Sequence, residues 1–155
     1  MKKSRVIEIF NFLNTIKISK ISDKEVRNAI ISNHLAMYKI AKEHNEEIQE
    51  VQKKLFEGKE AEIQELNDLR QQYKEETDNL KKQDLVFRIS NECSDILALE
   101  KEFNDMFVES LNTEINVNIK KVSQEKFVEA CVEADVEITT GDLIVLTDLF
   151  VEDNE

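Results

Sequence analysis

Two histidines are the residues best suited to catalysis or metal binding in this chain of 155 residues. His34 and His44 fall on the apolar face of a long helical pattern, ten residues and therefore about 15 Å apart along a helix axis. One metal ion cannot bind both, because zinc–nitrogen bonds are only about 2.0–2.1 Å long. Ile31 and Ala41 stand three positions before them, where a di-iron helix bundle requires glutamate. We predict that the histidines fix helix register or form hydrogen bonds across the hairpin, with a pH-sensitive contact as the alternative.

The other reactive side chains form no recognisable catalytic set. Acidic residues number 33, so close pairs such as Glu133 and Asp135 are expected by chance. Cys93 and Cys131 lie 38 positions apart and lack the spacing of a zinc site or a disulfide framework. We expect both thiols to be small buried apolar groups in a reducing cytosol.

Glycine and proline are almost absent, which excludes several kinds of nucleotide chemistry. The only glycines are Gly58 and Gly141, and the chain has no proline. Phosphate-binding loops, dinucleotide fingerprints and nucleophile elbows need closely spaced glycines. We therefore predict a non-enzymatic protein without cofactor, metal ion or small-molecule substrate, and an enzyme of unrecognised type is the third hypothesis.

The net charge of −12 is distributed unevenly along the chain. Residues 1–42 hold nine basic and three acidic residues, whereas residues 43–155 hold 12 basic and 30 acidic ones. Opposite fields of this kind orient a partner or a second copy over roughly 8 to 10 Å. An acidic surface that only maintains solubility is the simpler alternative. Direct nucleic-acid binding is not expected, because most of the chain repels phosphate.

Mainly helical elements are predicted to position these residues. Ser4 is the expected cap of a buried first helix over residues 6–16, and Ser22 with Glu25 forms a capping box for a second helix over residues 23–56. Gly58 predicts a turn into a return helix over residues 59–82. The second helix carries a seam with alternating steps of four and three, the spacing of a coiled coil. Its members are Ile30, His34, Met37, Ala41, His44, Ile48, Val51 and Leu55.

The chain changes character after Asp84. Residues 85–89 are either a strand or the start of a buried helix, and helical spacing returns over residues 94–111. Strict alternation over residues 115–120 predicts a strand, for which residues 136–138 or 85–89 are the candidate partners. Short helices are expected after Ser123 and after Thr139 or Thr140, where Asp142 complements the helix dipole. The final residues 152–155 are expected to fray.

Together these patterns predict a mainly α fold: a long antiparallel, coiled-coil-like helical hairpin plus a small helical domain with one short β element. Residues 1–21 would form an N-terminal helix packing on the C-terminal domain. Residues 22–83 would form the hairpin, and residues 84–155 the small α(+β) domain. No stretch approaches the roughly 20 apolar residues that span a bilayer, so no membrane partner is expected.

The order of elements resembles a family of small uncharacterised proteins encoded by tailed bacteriophages and prophages. The matching features are the apolar N-terminal helix, the charged hairpin over residues 22–82, the segment 103–111, the alternating segment 114–122 and the closing leucine-rich helix. The resemblance covers most of the chain and rests on pattern, without an invariant motif. It implies a phage-related assembly or host-interaction role in the bacterial cytoplasm or the virion, and it carries no catalytic residues.

Protein binding is therefore the predicted activity, through self-association or a separate protein partner. The predicted partner-binding residues are apolar positions of the hairpin: Ile30, Met37, Ile48, Val51, Leu55 and Leu66. The alternative is an acidic inhibitor or modulator of a host protein, acting as a DNA mimic.

Overall fold

A computed structural model describes residues 1–151 and shows a mainly helical chain, which confirms the predicted fold class at that level. The predicted frayed end, residues 152–155, lies outside the described range. The α-helices within that range are α1 (Lys3–Leu13), α2 (Lys24–Phe56), α3 (Glu60–Glu75), α4 (Asn79–Glu92), α5 (Ser94–Asn112), α6 (Gln124–Glu133) and α7 (Thr140–Val145). Two 3₁₀ turns cover Ile18–Lys20 and Thr147–Leu149.

Helix α2 begins at Lys24, one residue later than a cap at Ser22 predicts. The Asp23 carboxylate accepts hydrogen bonds from the backbone N–H groups of Glu25 and Val26, at 2.8 and 3.0 Å, and so caps the helix. Ser22, the predicted cap, instead donates its backbone N–H and its hydroxyl to Glu133. Ser4 is not a cap either, since α1 already begins at Lys3. Thr139 does cap α7, in a reciprocal capping box with Asp142.

The break between α2 and α3 lies at Gly58, which adopts a left-handed φ of 76°. The predicted return helix over residues 59–82 is interrupted, because α3 ends at Glu75 and α4 begins at Asn79. The break between α3 and α4 contains no glycine or proline, and side-chain hydrogen bonds to the backbone mark it instead. The Glu76 carboxylate accepts from the N–H groups of Thr77 and Asp78, and Asp78 in turn caps α4.

The described chain divides into two units. Unit 1 comprises residues 1–45 and the chain from Leu111 onward, and unit 2 comprises residues 46–110. The divisions fall inside α2 and near the end of α5; the boundaries predicted from the sequence follow residues 21 and 83. The core of unit 1 combines side chains of α1, α2, α6 and the closing turns. Its most buried members include Val6, Ile9, Val26, Met37, Phe127, Cys131, Leu146 and Leu149.

The alternating segment 115–120 has no regular secondary structure, and within residues 1–151 only two isolated β-bridges occur. The Ile115 N–H donates to the Met1 carbonyl at 2.8 Å, and the Val122 N–H donates to the Leu149 carbonyl at 2.9 Å. Neither predicted partner pairs with it: residues 85–89 lie in α4, and residues 136–138 have no regular structure. The alternation instead reflects burial, since Ile115, Val117 and Ile119 are partly buried and the intervening residues are exposed.

One buried side chain forms hydrogen bonds with this segment in place of a neighbouring strand. Asn33 on α2 is 2% exposed. Its Nδ2 donates to the Lys120 carbonyl at 2.9 Å, and the Lys120 N–H donates to its Oδ1 at 2.8 Å. The amide of Asn33 thereby satisfies both backbone groups of Lys120 as a neighbouring strand would.

Unit 2 has a smaller core between α3, α4 and α5. Its buried members are Leu66, Leu69, Leu85, Cys93 and Ile96. Arg70 and Glu100 join α3 to α5 through two parallel hydrogen bonds of 2.8 and 2.7 Å. The ring of Phe56, at the end of α2, lies 6.0 Å from that of Phe103 on α5. Among the described helices, none is both long enough and apolar enough to cross a membrane.

Candidate interaction surfaces

The two histidines occupy different environments. His34 is partly buried on α2; its Nε2 lies 3.3 Å from Asn14 Oδ1, and its ring stacks on Phe10 with centroids 4.6 Å apart. His44 is buried on the same helix. Within residues 1–151, no group of three or more His, Cys, Asp or Glu side chains is arranged to hold a metal ion.

The carboxylates singled out as an acid pair have structural contacts. Ser22 donates two hydrogen bonds to Glu133, and Lys20 donates to Asp135. The hydroxyl and N–H of Ser22 lower the pKa of Glu133, and the Lys20 ammonium lowers the pKa of Asp135. Both groups are therefore ionised at neutral pH, whereas a general acid needs a raised pKa.

Both thiols are buried, as predicted. Burial raises the pKa of Cys93, and it raises the pKa of Cys131 to about 11. Since the thiolate is the nucleophilic form, both groups are unreactive at neutral pH.

The predicted partner-binding residues separate into two sets. Ile30 and Met37 are buried in the unit 1 core, and Leu66 is buried in the unit 2 core. These three side chains are therefore occupied by contacts within the chain. Ile48 and Val51 are only partly buried, as is Leu55.

An apolar groove opens on unit 1 between the end of α1, the 3₁₀ turn that follows it and the first half of α2. Its volume is about 240 Å³. Ligand pockets usually measure about 300–1,000 Å³, so this groove is the size for one or two side chains. The polar groups in its lining are Asn14 and His34, which face each other. Its apolar lining consists of Leu13, Ile16, Ile18, Ile30, Ile31 and Leu35.

An exposed apolar strip continues the groove along α2. Ile31 is partly buried, Leu35 is 67% exposed and Tyr38 is 49% exposed. Spacings of four and three place these residues on one helix face, over about 10 Å. This strip was not predicted from the sequence, because it lies one residue beyond the seam of Ile30, His34 and Met37. The available signal was a second set of apolar residues with the same helical spacing.

A second exposed apolar surface lies on α4 in unit 2. Leu80 is 77% exposed and Phe87 is 67% exposed, and the spacing of seven residues places them on one face. Val86 is also exposed beside Phe87. Nearby, the Lys82 ammonium lies 5.3 Å from the centroid of the Tyr73 ring.

Comparison of the chain with known protein families, curated proteins and solved structures found no match.

Proposed function

We propose that this chain is a non-enzymatic protein-binding protein, acting as a structural or assembly component. The observation that supports this proposal is the grouping of exposed large apolar side chains on the α2 and α4 faces. Single exposed apolar residues are normal on protein surfaces, whereas contiguous groups mark interaction sites.

The proposal includes the long antiparallel hairpin predicted around Gly58. The turn at Gly58 and the partly buried residues Ile48, Val51 and Leu55 support it. In this arrangement the end of α2 retains apolar area for a partner or for a second copy of the chain. The double replacement of Ile48 and Val51 by glutamate is expected to abolish partner binding while unit 1 keeps its fold.

A phage-related role in the host cytoplasm or the virion is part of the same proposal. Its support is the order of elements, with an apolar first helix, charged central helices and a leucine-containing closing helix. Assembly proteins of this kind act by presenting surfaces, so no catalytic residue is assigned.

The experiment is affinity purification from the cells that encode the chain, with the mass of the purified complex measured in solution. Variants Leu35→Gln on α2 and Phe87→Gln on α4 are compared with Val132→Gln. Val132 is 69% exposed on α6, which makes it a matched control for an exposed apolar residue. We expect one defined protein, or a second copy, to be retained by wild type and Val132→Gln and lost from at least one other variant. A monomer that retains the same proteins in all four forms would refute the proposal.

A modulator of a basic protein is the second candidate. Unit 2 supports it, because residues 46–110 carry 18 acidic and nine basic residues. This function predicts capture of a basic protein with a steep salt dependence, since exposed charges are screened within about 10 Å at 0.1 M salt. A complex that is insensitive to salt would exclude it.

A further inference from the structure

The walls of the unit 1 groove contain no acidic residue. The lining residues come from segments 13–18 and 30–35. The longer stretches that contain these segments, residues 9–22 and 26–42, carry Lys17, Lys20, Arg27, Lys39 and Lys42 and no Asp or Glu. Elsewhere the chain is dense in carboxylates, with 33 over its length. The charge at this groove is therefore opposite to that of the chain as a whole.

Several acidic residues near these two stretches lie close to a lysine. Asp23 caps α2 and lies 3.8 Å from Lys126, which also lies 3.3 Å from Glu25. Asp135 pairs with Lys20, and Glu43 lies 3.6 Å from Lys39. These pairs are exposed, and exposed pairs contribute only about 0–1 kcal/mol. Lys20 and Lys39 can therefore exchange their partners for a carboxylate of a bound protein.

The apolar lining determines the shape of the occupant. The groove accepts one or two side chains, and the strip of Ile31, Leu35 and Tyr38 extends it over about two helical turns. A helix with apolar residues at spacings of three and four matches this length. A flat lipid surface would not fill a concave groove, which favours a protein segment over a membrane.

We infer that the unit 1 groove binds an acidic amphipathic helix of another protein. Apolar side chains of that helix enter between α1 and α2, and its flanking carboxylates lie against Lys17 and Lys39. The inference rests on the proposed function and adds the chemistry of the partner.

The test uses a labelled synthetic peptide about four helical turns long, with a leucine stripe flanked by glutamates. Two matched peptides replace its glutamates by lysine or its leucines by alanine. Fluorescence anisotropy measures their binding to the full chain. We expect the acidic leucine peptide to bind at least about tenfold more tightly than either of the others. Its advantage over the lysine peptide should shrink when salt rises from about 0.1 M to 1 M, which shortens the Debye length from about 10 Å to 3 Å.

Variants of the chain locate the binding site. Leu35→Gln is expected to weaken binding of the acidic peptide about tenfold, whereas Val132→Gln binds as the wild type does. The double variant Lys17→Gln and Lys39→Gln should lose the preference for glutamate over lysine while still binding leucine. Leu35 and Lys39 are exposed, so these changes leave the unit 1 core intact.

The inference is overturned if the acidic peptide does not bind, if the lysine peptide binds equally well, or if Leu35→Gln and Val132→Gln have equal effects. Self-association that requires Leu35 and excludes the peptide would also overturn it. Binding to phosphatidylserine-containing vesicles that depends on Leu35 would overturn it in favour of a membrane. If the acidic peptide does not bind, but the wild type retains a protein partner that the Phe87→Gln variant does not, the inference is wrong and the proposed function stands.

Discussion

Replacement of Asn33 tests whether its side chain holds the segment 115–120 in place. Asn33→Ala removes both hydrogen bonds to the Lys120 backbone, of 2.9 and 2.8 Å. Each hydrogen bond contributes about 0.5–1.5 kcal/mol, and a buried group left without a partner costs about 1–3 kcal/mol. Water entering the vacated space will satisfy part of the Lys120 peptide, so we expect a loss of about 2–4 kcal/mol. That is a large share of the roughly 5–15 kcal/mol that stabilises a typical domain.

The matched control is Asn28→Ala on the same helix, where the side chain is exposed. Both changes raise helix propensity by up to about 0.7 kcal/mol, so the difference between them isolates the buried amide. Urea unfolding followed by circular dichroism gives the free energies, and hydrogen exchange of the Lys120 amide reports the local effect. A difference below about 1 kcal/mol, or unchanged exchange at Lys120, would refute this account of the segment.

Asn33→Asp sharpens the same test through pH. A carboxylate cannot donate to the Lys120 carbonyl, and burial at this position raises the pKa of an introduced aspartate above its ordinary value of about 3.9. The folded state then binds more protons than the unfolded state as pH rises past that value, so its stability falls. We expect the deficit of Asn33→Asp relative to wild type to grow above about pH 4, whereas the deficit of Asn33→Ala stays constant. A deficit independent of pH between about 3 and 7 would contradict the buried geometry.

Three further predictions concern single residues. Asp78→Ala should destabilise α4 by about 0.5–2 kcal/mol in urea unfolding, whereas Asp78→Asn, which keeps a capping oxygen, should differ little from wild type. Asp135 has a left-handed φ of 56°, which glycine adopts more easily than alanine. We therefore expect the Asp135→Gly variant to be more stable than Asp135→Ala by about 1–2 kcal/mol in free energy of unfolding. Equal stabilities of the two variants would exclude backbone strain at Asp135. Burial raises the pKa of the Cys131 thiol from 9.0 to about 11, so this thiol loses its proton at a lower pH in the unfolded state than in the folded state. The free energy of unfolding should therefore fall as pH rises from 9.0 to about 11. A Cys131→Val variant should lack this pH dependence.

The positions of the long helices could be predicted because their signals are local. Seam spacing and Gly58 place the predicted second helix, 23–56, within one residue of α2. The caps were less predictable, because Ser22 and Asp23 are both good capping residues and the choice between them depends on Glu133, more than a hundred residues away. The break at Glu76–Asp78 escaped prediction for a related reason. It depends on side-chain hydrogen bonds at residues that also occur within helices.

The backbone hydrogen bonds of segment 115–120 could not be predicted from the residue pattern of the segment itself. Alternation of apolar and polar residues predicts that one face is buried, and Ile115, Val117 and Ile119 are indeed partly buried. The alternation does not predict which groups form hydrogen bonds with the backbone of the segment. Here one of them is the side chain of Asn33, 87 residues away, which binds the backbone of Lys120. A polar residue on the buried face of α2 was the available clue, because a buried amide requires partners.

The candidate groove escaped prediction because α2 carries two apolar stripes of the same period. Ile30, His34 and Met37 form one, and Ile31, Leu35 and Tyr38 form the other, rotated by one residue or about 100°. Periodicity alone ranks them equally. The unit 1 core buries Ile30 and Met37 of the first stripe, whereas Leu35 and Tyr38 of the second stripe are exposed. The predicted partner-binding residues Ile30 and Met37 therefore lie on the side of α2 that faces the core, and the neighbouring stripe carries the exposed apolar residues Leu35 and Tyr38.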